Sequence, residues 1–299
     1  MRRHGPTLVA ASFVLLVAAR TANAQEPPPE YRVFGHTLHE GSGFIATPHA
    51  FVNEGAFFAS GALVSADDFD PGDPETFTRG AVGIALGRVI EVGGTLHGSD
   101  TFSGFFKLQL VRQTGPFPAM AFGGQNLTNK KIGRFGFHPD PFYEDFMDRA
   151  AFYGVATYLV GPGDTPWPSW ILFSGGWGSG IFEKDNPALD SDDRTAGFFG
   201  ALAFDFQAAR NAMLRAVLEW DGYDINIGAT AWLGGLELTV GLLSADEGEA
   251  ERAPLNANFD PERDTPQGFF YNQNKPFVAV TLDLRALAAI PWVWSGGED

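Results

Sequence analysis

The sequence predicts an all-β protein, an antiparallel transmembrane up-and-down β-barrel of about 12 strands (range 10–14), on three observations. Apolar residues recur at period two, the alternating segments are long for strands, and the connections between them alternate short and long. Composition agrees: 37 glycines and 28 phenylalanines with mean hydropathy near zero suit two-faced strands better than helices.

The chain opens with Met1-Arg2-Arg3, an apolar run from Leu8 to Ala19, and Ala22-Asn23-Ala24. A positive n-region, an apolar stretch too short to span a bilayer and a small-x-small site predict a signal peptide over residues 1–24. Its removal takes Arg2, Arg3 and Arg20 with it and moves the formal charge from −16 to −19. Such acidity argues against nucleic acid as a partner, because a phosphate backbone demands a basic surface. Cysteine is absent, so an exported chain of this length must be held without disulfides or thiolate metal sites. Residues 25–53, beginning with Gln25 and the run Pro27-Pro28-Pro29, read as a periplasmic leader.

The barrel is expected over residues 54–285. Alternation is clearest from Pro276 to Arg285, where Val278, Val280, Leu282 and Leu284 oppose Ala279, Thr281, Asp283 and Arg285. It repeats in Asn211 to Trp220, with Leu214, Ala216 and Leu218 opposed by Arg215, Val217 and Glu219, and again in Ile225 to Leu233 and Leu236 to Leu242. The earlier strands are placed near Glu54 to Ser65, Arg79 to Gly87, Ile90 to Gly98, Phe102 to Arg112, Phe117 to Asn126, Arg149 to Val160, Ser169 to Gly180 and Thr195 to Gln207. The last four run near Asn211 to Trp220, Asp224 to Trp232, Leu236 to Ser244 and Lys275 to Arg285. Most approach the roughly 9 to 11 residues of a tilted membrane strand. The odd-numbered connections come to 13, 3, 22, 14, 3 and 30 residues and the even-numbered ones to 2, 4, 8, 3 and 3. Every long loop therefore falls at one end, and an even strand number puts both termini at the other. Trp167, Trp170 and Trp232 near the turn ends, with Trp220 and Tyr223 near the loop ends, would form interfacial girdles. Residues 286–299 are left as a C-terminal tail.

If the greasy face meets lipid, the opposite phase lines the lumen: Glu91, Lys107, Gln109, Asp205, Arg215, Glu219, Asp224, Glu237, Asp283 and Arg285. Acidic groups outnumber basic ones there, which predicts either a cation-favouring pore or a filled lumen in which Arg215 pairs with Glu219 or Glu237. The expected external loops are acidic, with Asp67, Asp68, Asp70, Asp73 and Glu75 in the first, Asp185, Asp190, Asp192 and Asp193 in another, and Asp246, Glu247, Glu249 and Glu251 in the last. Asp68, Asp70 and Asp73 around Pro71-Gly72 form a candidate calcium turn without the distal glutamate of a complete EF-hand. No other metal site, no cofactor site and no catalytic site is expected. His36 and His39 lack a third ligand, and Gly175 to Gly180 does not fit a dinucleotide fingerprint. His97 beside Ser99 and Asp100 is the one hydrolase-like grouping. Asn126-Leu127-Thr128 matches a glycosylation acceptor of no expected consequence in an exported bacterial chain.

Two segments carry a resemblance. Gly43-Phe44-Ile45-Ala46-Thr47-Pro48 followed by Asn53-Glu54-Gly55, and Phe106 to Leu110 with Pro118 to Asn126, resemble the opening and a strand pair of YjbH-like outer-membrane proteins, over about a third of the chain. The resemblance implies a barrel associated with exopolysaccharide production or export and carries over no catalytic residue.

The sequence therefore leads to a non-enzymatic outer-membrane barrel, a passive pore or one associated with export of polysaccharide or solute. The alternative is a non-conducting structural or surface-interaction barrel with acidic extracellular loops. Expected partners are outer-membrane lipid and lipopolysaccharide, the barrel-assembly machinery, and polysaccharide or small solutes. A soluble periplasmic sandwich would share the alternation but would have to cover its aliphatic faces with a second sheet.

Overall fold

The computed structural model describes residues 38–52, 56–67, 74–98, 101–130, 150–161, 168–182, 197–209, 212–222, 224–245 and 274–285. Twelve strands follow in chain order: β1 (Phe57–Asp67), β2 (Pro74–Leu86), β3 (Ile90–His97), β4 (Thr101–Val111), β5 (Ala119–Gln125) and β6 (Ala151–Val160), then β7 (Trp170–Gly178), β8 (Phe198–Ala209), β9 (Ala212–Trp220), β10 (Ile225–Leu233), β11 (Leu236–Leu243) and β12 (Lys275–Asp283). Each pairs antiparallel with its sequence neighbours, and β1 pairs with β12, so the sheet closes and no edge is left to pair elsewhere.

Each expected strand overlaps one observed strand in the same order. The largest difference is in β2, which starts at Pro74 rather than Arg79 because the β1–β2 hairpin stays paired out to Asp67 opposite Pro74. The ladder slips between Gln109 and Val111 on β4 and between Gln207 and Ala209 on β8, both near the turn end, where extra residues bend a strand. The connections after the odd-numbered strands include all the long ones and define a long-loop end. The turns after the even-numbered strands, with the start of β1 and the end of β12, define a short-turn end.

Successive strand residues face opposite sides of the wall, so the alternating sequence sorts by side. On β11, Leu236, Leu238 and Val240 are exposed outward while Glu237 and Thr239 are buried inward. On β9, Leu214 and Leu218 face out, while Arg215 and Glu219 are buried. Exposed large apolar side chains recur around the outside, including Phe57, Val82, Val92, Phe102, Phe122, Phe152, Trp177, Phe198, Ile227 and Val280. Trp220 faces outward at the long-loop end, but Trp170 and Trp232 lie on the inward phase of β7 and β10, so neither belongs to an outer girdle. Trp167 and Tyr223 lie outside the described residues, as do the expected signal segment, the expected C-terminal tail and most of the acidic loop residues.

The leader expected over residues 25–53 is corrected wherever it is described: residues 38–52 lie inside the barrel, not beyond it. Leu38, Phe44, Ile45 and Ala46 pack with the wall residues Val64, Leu172, Val217 and Phe277, and Ala50 and Phe51 pack with Tyr153, Phe182 and Phe199. The apolar core is thus shared between wall and contents. A wall this crowded needs small residues beneath its rings. Gly123 sits directly across from Tyr153, whose ring occupies the place a Cβ would take, and Gly241 bears the same relation to Phe277.

Candidate functional site

Residues 38–52 contain no regular secondary structure beyond one isolated bridge between Gly43 and Pro48, so most of their backbone amides need partners other than a helix or sheet. Internal bonds satisfy a few: Leu38 and His39 donate to the Ile45 carbonyl, and Phe44 to the Thr47 carbonyl. The wall accepts six more from this plug of residues 38–52, four of them on two buried carboxylates, Glu219 and Glu91, while a third buried carboxylate, Glu40, belongs to the plug itself.

Glu219, on the inward face of β9, accepts from the backbone N–H groups of Ile45 (3.0 Å), Ala46 (2.7 Å) and Thr47 (3.3 Å) and from the Thr47 hydroxyl (3.0 Å). Consecutive amides turned toward one carboxylate form an anion nest, here filled by the protein's own side chain. Asn226 on β10 steadies Glu219 by donating to it at 2.9 Å and to Asp221 at 3.0 Å, while its own carbonyl oxygen accepts from Ser244 N at 2.9 Å. Ser244 donates in turn to Asp224 at 2.7 Å, so β9, β10 and the end of β11 share one polar network.

Glu91 on β3 and Lys107 on β4 are cross-strand partners 3.7 Å apart, and both reach Ser42. The Ser42 N–H and hydroxyl donate to the two Glu91 oxygens at 2.5 and 2.6 Å, and Lys107 donates to the Ser42 carbonyl at 2.9 Å and to its hydroxyl. Gly41, with φ of 87°, turns the chain here, and a Cβ at that position would meet Glu91 and Phe105.

The third carboxylate runs the other way. Glu40 projects from the plug to the long-loop end, accepting from His97 Nε2 (3.0 Å), the Ser103 hydroxyl and the Asn126 N–H (2.7 Å). Burial pushes the Glu40 carboxyl up, but the His97 hydrogen bond, the Arg79 charge and the Ser103 bond outweigh it, and the group sits below its ordinary value of 4.5. Weaker ties finish the descent: Ala50 N–H donates to Thr157 at 2.8 Å and Val52 N–H to Gln109 at 3.2 Å, near the short-turn end.

Of the expected lumen residues, Glu91, Lys107, Asp205, Arg215, Glu219, Asp224, Glu237 and Asp283 are buried, and Gln109 is half-buried. Arg285 is a correction: it lies just past the end of β12 and is exposed. Arg215 also has a partner that the sequence did not point to. Arg215 grips Asp205, directly opposite on β8, through bonds of 2.6 and 2.8 Å. The planar guanidinium matches the carboxylate it faces across the ladder, and Glu219 is taken by the plug.

His97 bonds Ser103 at 2.7 Å and Glu40 at 3.0 Å, both through Nε2, whereas a serine relay needs its carboxylate on the opposite ring nitrogen. Ser99 and Asp100 lie outside the described residues, as do the calcium-turn candidates Asp68, Asp70 and Asp73 and the residue His36. Among the described residues no cluster of three or more metal-ligating side chains occurs.

No family model, no curated protein and no solved structure matches this chain. Sequence reasoning missed Glu40, Ser42 and Thr47 as contacts, and missed Arg79, His97, Ser103, Thr157 and Asn226 as their surroundings. A signal was present in residues 38–52, which combine buried-type apolar residues with two histidines and an acid and do not have a linker's composition.

Proposed function

We propose that this chain is an outer-membrane β-barrel that rests closed, its lumen filled by residues 38–52 of its own N-terminal segment. The observation that carries the reading is an inverted distribution of polarity. Large apolar side chains stand exposed around the outside while carboxylates, lysines and arginines are buried within. In water that arrangement exposes a broad greasy surface and buries charge at a cost, whereas in a bilayer the outer face is solvated by lipid. Closure supports the same reading, because lipid offers no partner to an unpaired strand edge.

The plug favours the non-conducting form. Its backbone is held from β3, β4, β6 and β9 at once, and apolar contacts fill the space between. A second reading, a gated pore serving polysaccharide or solute, is favoured by the wall itself, which presents Arg215, Asp205, Glu237 and Lys275 inward where a permanently filled interior could have been apolar. The exopolysaccharide association implied by the YjbH-like segments fits this second reading. Those two segments adjoin in space: the plug stretch from Gly43 to Pro48 follows Ser42, which Lys107 holds, and Glu40, which Asn126 holds.

The test is single-channel recording of the chain from Gln25 onward, refolded into a planar bilayer. Stable insertion with no steady conductance is expected, and brief openings are expected to become more frequent in Glu219→Gln. Steady ohmic conductance by the unaltered chain would overturn the closed state. Failure of a well-folded, β-rich preparation to insert at all would overturn the membrane assignment.

A further inference from the structure

Arg79 stands on the inward face of β2, directly across from His97 on β3 and from Ala62 on β1. Its side chain is buried, and none of its three nitrogens has a hydrogen-bond partner among the described residues. A guanidinium does not shed its charge at accessible pH, offers five donors and accepts nothing, so burying it unpaired is among the more expensive things a structure can do. Glu40 lies close enough to act on it through charge, yet both Glu40 oxygens are occupied by His97, Ser103 and the Asn126 amide.

Two further buried atoms nearby lack partners among the described residues. Thr95 Oγ1 is on β3, two residues before His97 on the same face and so diagonal to Arg79. Gln125 Nε2 is at the end of β5, beside the Asn126 amide that Glu40 holds. The cross-strand neighbours of Arg79 and Thr95 on β1 and β2, Ala62 and Ala81, carry small side chains with no polar group to offer the guanidinium. Every orphan in this group can donate, and the fork of the guanidinium suits two oxygens on one atom.

We infer that the long-loop end of the lumen contains an oxyanion site, with Arg79 as its charge and Thr95 and Gln125 as flanking donors, for a phosphate or carboxylate group. The group completes the pairing that Glu40 leaves undone and sits against the plug's own anchor. The inference goes beyond closure of the barrel and does not depend on whether the lumen conducts.

The test is isothermal titration of the detergent-refolded chain from Gln25 onward with inorganic phosphate at constant ionic strength, against a chloride control. Saturable one-site binding is expected in the unaltered chain and in Arg112→Gln, an exposed arginine at the other end of the barrel. Arg79→Gln is expected to weaken it by about tenfold or more, and Arg79→Lys, which keeps the charge and loses the fork, by less. If Arg79→Gln does not refold, Thr95→Val supplies the comparison, with binding weakened by about threefold or more. A short oligogalacturonate that competes with phosphate would assign the site to a group carried on a larger molecule, and phosphate binding alone would assign it to a free ion. No saturable binding, or binding unchanged in the Arg79 and Thr95 variants, overturns the site.

Discussion

Glu219 accepts three consecutive backbone amides and a hydroxyl from the plug, and no neutral side chain can accept all of them. In Glu219→Gln one carboxylate oxygen becomes a donor facing donors, and the loss is expected to be about 2–4 kcal/mol of unfolding free energy, measured by urea titration of the refolded protein. Glu40 is expected to show itself through pH. Its carboxyl titrates below the ordinary 4.5 in the folded state, because His97, Arg79 and Ser103 together outweigh burial, while the backbone amide of Asn126 also faces it. A depressed folded value means that its contribution is complete at neutral pH. That contribution declines as the pH falls below 4.5 and is lost once the pH passes below the native value. Unfolding measured against pH is therefore expected to show an acid limb that Glu40→Gln flattens, with the variant less stable than the parent at pH 7. An unchanged limb would mean that other carboxylates dominate.

At the scale of elements, the β5–β6 pair illustrates how the wall makes room for its contents. The Tyr153 ring lies over Gly123 directly opposite, so Gly123→Val is expected to displace it and cost about 1–3 kcal/mol. Gly154→Val, one residue away but outward with open space around it, is expected to be neutral or slightly stabilising, since a branched side chain suits a strand. Thermal or urea unfolding of the two variants side by side checks the contrast. The strands themselves were legible because each obeys a local rule: alternation places Arg215 and Glu219 on one face of β9 and Leu214 and Leu218 on the other without reference to anything distant. Residues 38–52 obey no such rule. Their conformation is set by partners 49 to 174 residues away, so no window of sequence could reveal it.

For the whole molecule, the two environments of the wall make opposite demands on one substitution. Leu238, in the middle of β11, is 44% exposed on the outer face. In a bilayer, Leu238→Lys is expected to cost about 2–4 kcal/mol of folding free energy if the site lies near the midplane. In water, a change at so exposed a position would fall within about 0.5 kcal/mol. Folding into lipid vesicles, followed by tryptophan fluorescence against urea, separates these outcomes, and a near-neutral result would count against immersion in lipid.

The sequence by itself determined the strand number to within about two, the strand order, which face of β9 to β12 is apolar, and which end carries the long loops. Each of these follows from the two-residue period of a strand and the spacing of turn residues, both local properties. Only the tertiary structure decided that residues 38–52 occupy the lumen, that Arg215 pairs with Asp205, and that Arg79 has no hydrogen-bond partner among the described residues. Those outcomes depend on which inward side chains meet across a closed barrel. Closure brings β1 beside β12 and seats the plug against β3, β4, β6 and β9 together, a relation that exists only once the ring is complete.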